Sequence, residues 1–189
     1  EDGIEAWHGG ADRVELCSAL FLGGLTPSLG SLLELKTQTE IKVAVMIRPR
    51  QGGFCYSKSD FRTALYDAEL MLKHGADVLV LGFLHEDGRV DLARTRAVVE
   101  LAGGVPVCFH RAIDVVPDWR EALDGLMEMG VRRVLSSGQA PSAYEGRHVL
   151  REMTDYAAGR IEIMPGGGIR AGNVQELLAI TGAREIHLG

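Results

Sequence analysis

One junction recurs along this chain and narrows its possible folds more than any other signal. A run with helical periodicity ends at glycine, and a β-rich run follows within a few residues. It is plain at Gly10-Ala11-Asp12-Arg13-Val14, Gly75-Ala76-Asp77-Val78-Leu79, Gly130-Val131-Arg132-Arg133-Val134 and Gly182-Ala183-Arg184-Glu185-Ile186, with looser copies at Gly104-Val105-Pro106 and Gly159-Arg160-Ile161. Glycine stands in each where the end of a helix needs positive φ. With residues 42–48 added, strands are expected to start near residues 13, 42, 77, 106, 132, 161 and 185. The spacing is about 24 to 35 residues, the size of a βα unit.

Between these strands, residues 60–74, 91–102, 118–129, 148–158 and 173–181 carry apolar side chains three and four apart, the pattern of amphipathic helices. Asp60, Asp118 and Asn173 stand near helix starts, where their side chains suit free backbone N–H groups. Regular alternation of this kind implies a parallel α/β sheet, either doubly wound or closed as a (β/α)8 barrel. Gly23-Gly24 lies in a strand-to-helix connection but lacks the G-x-G-x-x-G spacing of a dinucleotide fold, so the TIM-type barrel is preferred. Such barrels usually need about 200 to 250 residues. The 189 residues here are read as a single domain, a barrel truncated at both ends, with its first strand and last helix missing. The sheet edges left open would favour self-association into a homo-oligomer.

Composition removes whole classes of function. Twenty Lys and Arg against 26 Asp and Glu give a formal net charge of −6, which offers no broad attraction to nucleic acid or to an anionic membrane. The longest apolar stretches, such as residues 78–84, fall far short of the roughly 20 residues that span a bilayer. Cys17, Cys55 and Cys108 are too few and too scattered for a disulfide framework, and no signal peptide is visible, so a cytoplasmic location is expected.

In a barrel the site lies at the C-terminal ends of the strands. Glu15 and Cys17 share one face of their strand, and Arg48 on the next strand is the expected partner of Glu15. Arg48 and Arg50, followed by Gln51-Gly52-Gly53, suit an anion such as phosphate or carboxylate. Gly166, Gly167 and Gly168 sit where barrels often bind phosphate through loop amides, and Ser137 on the preceding strand adds a hydroxyl. His110 lies near Asp114, the pieces of a general acid/base, although His110 and Arg111 cannot both face inward unless their strand has ended. His187 shares parity with Glu185 on a strand whose Ile186 and Leu188 are expected to be buried. Soft ligands for Cu(I) are limited to the three cysteines and Met46, and no C-x-x-C pair occurs.

Several of these stretches together resemble the CutC family. They are Gly9-Gly10-Ala11-Asp12-Arg13-Val14-Glu15-Leu16-Cys17, Gly23-Gly24-Leu25-Thr26-Pro27-Ser28, Met46-Ile47-Arg48-Pro49-Arg50, Phe54-Cys55-Tyr56-Ser57, Phe109-His110-Arg111-Ala112 with Asp114, and Pro165-Gly166-Gly167-Gly168. The resemblance implies an eightfold βα barrel and a copper homeostasis protein. Departures from the family pattern are Gln51-Gly52-Gly53, where Gly-Gly-Asp-Phe is usual, Ser136 in place of Thr, and Gly189 in place of Ser.

Two functions follow as expectations. The family name implies Cu(I) binding, with Cys17 as the ligand. The motif residues themselves suit a metal-independent enzyme acting on a small phosphorylated or carboxylated metabolite. Arg48, Arg50, Ser137, Gly166, Gly167 and Gly168 would hold the anion, Glu15 and His110 would transfer protons, and Arg111, Asp114 and His187 would complete the rim.

Overall fold

The recurring glycines behave as their positions demand. Gly10, Gly75, Gly130 and Gly182 have φ of 84°, 89°, 79° and 66°, a region that a Cβ disfavours. The computed structural model describes residues 1–189. In chain order its elements are α1 (Asp2–His8), β1 (Arg13–Leu16), α2 (Leu29–Gln38), β2 (Lys42–Met46), α3 (Lys58–Lys73), β3 (Val78–Leu81), α4 (Leu92–Ala102), β4 (Val107–Phe109), α5 (Trp119–Glu128), β5 (Arg133–Ser136), α6 (Arg147–Ala157), β6 (Glu162–Pro165) and α7 (Val174–Thr181). Short 3-10 helices at Leu20–Leu22 and Arg111–Val115 turn the chain after β1 and β4. Two compact units result, Glu1–Leu81 with Arg94–Val107, and Gly82–Ala93 with Cys108–Gly189.

In the first unit β1, β2 and β3 pair in parallel, with Glu15 beside Ala44, Leu16 beside Val45 and Met46 beside Val80. Both faces of β2 are covered: Val43 and Val45 are fully buried, and Ala44 and Met46 nearly so. Burial on both faces is why this strand reads as a continuous apolar run rather than an alternating one. Helix α2 buries Leu32 and Leu35, and α3 buries Ala64, Ala68 and Met71. Each large side chain buried this way contributes about 1.5–3 kcal/mol. Ser57 caps α3, with Asp60 completing a reciprocal capping box. Asp77 joins the layers by accepting from Lys36 of α2 and from the Val43 amide of β2.

In the second unit β5 pairs in parallel with β4 and β6, with Cys108 beside Arg133 and Ser136 beside Pro165. Asp118 caps α5 through the amides of Arg120 and Glu121. Trp119 of α5 meets Tyr156 of α6 edge to face at 5.6 Å. Arg133 and Glu185 form a two-point ion pair, both contacts 2.7 Å. The expected seventh strand is reduced to one parallel bridge between Gly166 and His187, closed by the His187 amide on Pro165 O at 2.8 Å. Leu188, expected to be buried there, is 64% exposed. Asn173 also departs from expectation. Its side chain makes no cap to α7 and instead accepts from the Arg170 amide and donates to Gly168 O.

Candidate functional site

Candidate residues of the first unit gather where β1 and β2 end. The β1–β2 register ends on the Leu16–Val45 pair, and Cys17 and Met46 are the next residues of the two chains. Between them lies Gly24. A Cβ built on Gly24 would stand 3.4 Å from Cys17 Sγ and 3.6 Å from Met46 Cε, so the thiol sulfur and the methyl end of the Met46 side chain approach one point. Cys17 is partly exposed and Met46 buried. Burial pushes the Cys17 thiol above its ordinary pKa, and the Glu15 carboxylate adds to the shift by opposing a second negative charge.

Arg48 and Arg50 are largely spent on the loops. Arg48 is 6% exposed; its Nη1 donates to Leu22 O at 2.8 Å and Gly24 O at 2.9 Å, and Nη2 donates to Gly52 O at 3.0 Å. The guanidinium therefore serves main-chain carbonyls rather than Glu15, and its buried Nε has no acceptor. Arg50 donates through Nε to Asp60, through Nη1 to Gln51 O and through Nη2 to Cys55 O, and it stacks on Tyr56 at 4.8 Å. The Arg50 hydrogen bond holds the Asp60 carboxyl below the usual range, helped by the Ser57 amide. Nothing in the residue types around Arg48 signalled these contacts, because carbonyls of a distant loop leave no mark in sequence.

In the second unit β4 ends at Phe109, which releases His110 and Arg111 from strand alternation. His110 is 4% exposed, and its Nδ1 accepts from the Ala112 amide at 3.2 Å. That contact caps the 3-10 helix and places the ring proton on Nε2. The ring lies over Gly82, where a Cβ would stand 2.3 Å from His110 Cε1. Arg111 Nε donates to Asp114 at 2.8 Å and Nη2 to Ser137 Oγ at 2.6 Å. Asp114 also accepts from Ser136 Oγ, from Ser137 through both its amide and its hydroxyl, and from the Gln139 amide. With one hydrogen and two acceptors, Asp114 and Ala140 O, the Ser137 hydroxyl orders the loop and has no hydrogen left for an anion. The Gly166 amide is bound to Ser136 O, whereas those of Gly167 and Gly168 meet no acceptor in the protein. His187 lies partly exposed at its single bridge.

Comparison with known proteins gives this arrangement a family. The CutC family profile matches residues 2–189. The chain belongs to the CutC family. A family protein CutC from Treponema denticola is 50% identical over 99% of this chain and 76% of its own length. The human relative, described as copper homeostasis protein cutC homolog, is 45% identical over 99% of this chain and 68% of its own length. A solved CutC structure from Streptococcus agalactiae, described as a copper homeostasis protein, superposes with a TM-score of 0.89 at 36% identity, covering 93% of this chain and 87% of that one. Deoxyribose phosphate aldolase from Aeropyrum pernix shares the fold at TM-score 0.73 and 19% identity, over 97% of this chain and 76% of that one. The CutC chain therefore has the parallel α/β fold of the TIM-barrel class, and none of its helices is long and apolar enough to cross a membrane.

No group of three or more His, Cys, Asp or Glu side chains is placed to hold a metal. Of the soft side chains, Cys17 brings its Sγ and Met46 its methyl Cε toward the same point beside Gly24, 3.4 and 3.6 Å from where a Cβ there would stand. Cys55 is exposed on its loop and Cys108 is buried in β4.

Proposed function

We propose that residues 1–189 are one barrel domain of a cytoplasmic copper homeostasis protein that binds Cu(I) as cargo through Cys17, with Met46 as its thioether partner. One observation carries this reading: the approach of Cys17 Sγ and Met46 Cε to the same point beside Gly24. The copper homeostasis names of the mouse and human relatives support it. Thiolate is the binding form, so the raised Cys17 pKa means that Cu(I) must displace a proton and binds more tightly as pH rises. Competitive titration with a soft Cu(I) chelator tests the reading. Wild type should take one Cu(I), and Cys17→Ser should lose at least tenfold in affinity; unchanged affinity in Cys17→Ser would remove the site.

A second reading is favoured by a different observation, the open amides of Gly167 and Gly168 beside Arg111. In it the second unit binds a small anionic metabolite as a metal-independent barrel enzyme would. A thermal-shift screen of carboxylates and phosphate esters on metal-free protein tests it, since a ligand at 100 times its Kd stabilises by about 2.7 kcal/mol.

A further inference from the structure

We infer that the second unit holds a phosphoryl oxyanion site built from Arg111 Nη1 and the amides of Gly167 and Gly168; this rests on the anion reading above and names its ligand class. Arg111 is held by Asp114 at Nε and by Ser137 at Nη2, which leaves Nη1 with its hydrogens uncommitted. That nitrogen lies 3.1 Å from where a Cβ on Gly167 would be. Gly167 and Gly168 have φ of 100° and 70°, so side chains are disfavoured at both positions. Their carbonyls are already engaged, Gly167 O by the Ala143 amide and Gly168 O by Asn173 Nδ2, which fixes the loop while both N–H groups stay open. Ser142 borders the same loop, its Cβ 3.1 Å from where a Cβ on Gly168 would be.

The chemistry favours phosphate over carboxylate. A guanidinium and two separate amides supply donors for three oxygens, which a phosphoryl group offers and a carboxylate does not. Asp114, the carboxylate paired with Arg111 Nε, also accepts from the Ser136 and Ser137 donors and the Gln139 amide. It therefore positions Arg111 without filling the ligand's place. A phosphate ester of a metabolite and free inorganic phosphate share this chemistry.

Amide NMR on the metal-free protein tests the site, with inorganic phosphate, glycerol phosphate and acetate as separate probes. The Gly167 and Gly168 signals should shift saturably with phosphate or its ester, and Arg111→Gln should weaken that binding roughly 10- to 100-fold. Tighter binding of glycerol phosphate marks an ester as the source, and tighter binding of phosphate marks the free ion. Acetate shifting these signals at lower concentration than either would overturn the phosphoryl assignment while leaving the anion reading intact. No shift with any probe would overturn both. Should Arg111→Gln fail to fold, the wild-type amide pattern decides alone.

Discussion

Arg111 meets Asp114 through Nε at 2.8 Å while its Nη2 reaches Ser137 Oγ at 2.6 Å. A residue of the loop after β4 is thereby fixed against the end of β5, and Asp114, whose side chain is 8% exposed, is the hub. Removing that carboxylate strands several donors at once. Asp114→Ala should lower unfolding stability by on the order of 3 kcal/mol, measured by urea denaturation; a loss below about 1 kcal/mol would show that water replaces the network.

Gly82 has no room for a side chain. A Cβ there would stand 2.5 Å from His110 Nδ1 and 2.8 Å from Ala112 Cβ, so Gly82→Ala must push the imidazole off its cap. Overpacking of this kind costs about 1–3 kcal/mol, read as a lowered thermal midpoint. An unchanged midpoint would mean that the ring moves freely.

Much of this architecture was legible in the sequence, for a physical reason. Positive φ at Gly75, Gly130 and Gly182 is a local requirement, and local requirements leave local signatures. Helices α3 to α7 fall within about two residues of the periodic runs for the same reason. The failures are non-local. Arg48 was expected to pair with Glu15, yet the loop after β1 brings the Leu22 and Gly24 carbonyls to it. Arg111 was placed only on the rim, because its open Nη1 depends on the strand ending at Phe109 and on Asp114 holding Nε.

The three cysteines should differ in reactivity. Cys55 is exposed, Cys17 is intermediate with a raised thiol pKa, and Cys108 is buried. Alkylation near pH 7.5, followed by peptide mass mapping, should label Cys55 first, Cys17 more slowly and Cys108 only on unfolding. The sign for stability follows from linkage. A thiol whose folded pKa is raised keeps its full contribution below the unfolded value of about 8.5 and loses it as pH rises further. Cys17→Ser should therefore flatten the alkaline fall in stability, and an identical alkaline slope would contradict the burial effect.

Met46 separates a copper role from a packing role. Met46→Leu keeps volume and should cost under about 1.5 kcal/mol of stability, while removing the thioether. Cu(I) affinity should fall at least several-fold in chelator competition; full affinity would exclude Met46 as a ligand and leave Cys17 to act with another donor.

X-ray absorption at the copper edge, on protein loaded with one equivalent of Cu(I), tests the Cu(I) site most directly. A low-coordinate shell of two sulfurs is predicted, one of which is lost in Cys17→Ser and the other in Met46→Leu. A shell of nitrogen and oxygen, or a spectrum indifferent to both substitutions, would contradict Cu(I) binding at Cys17.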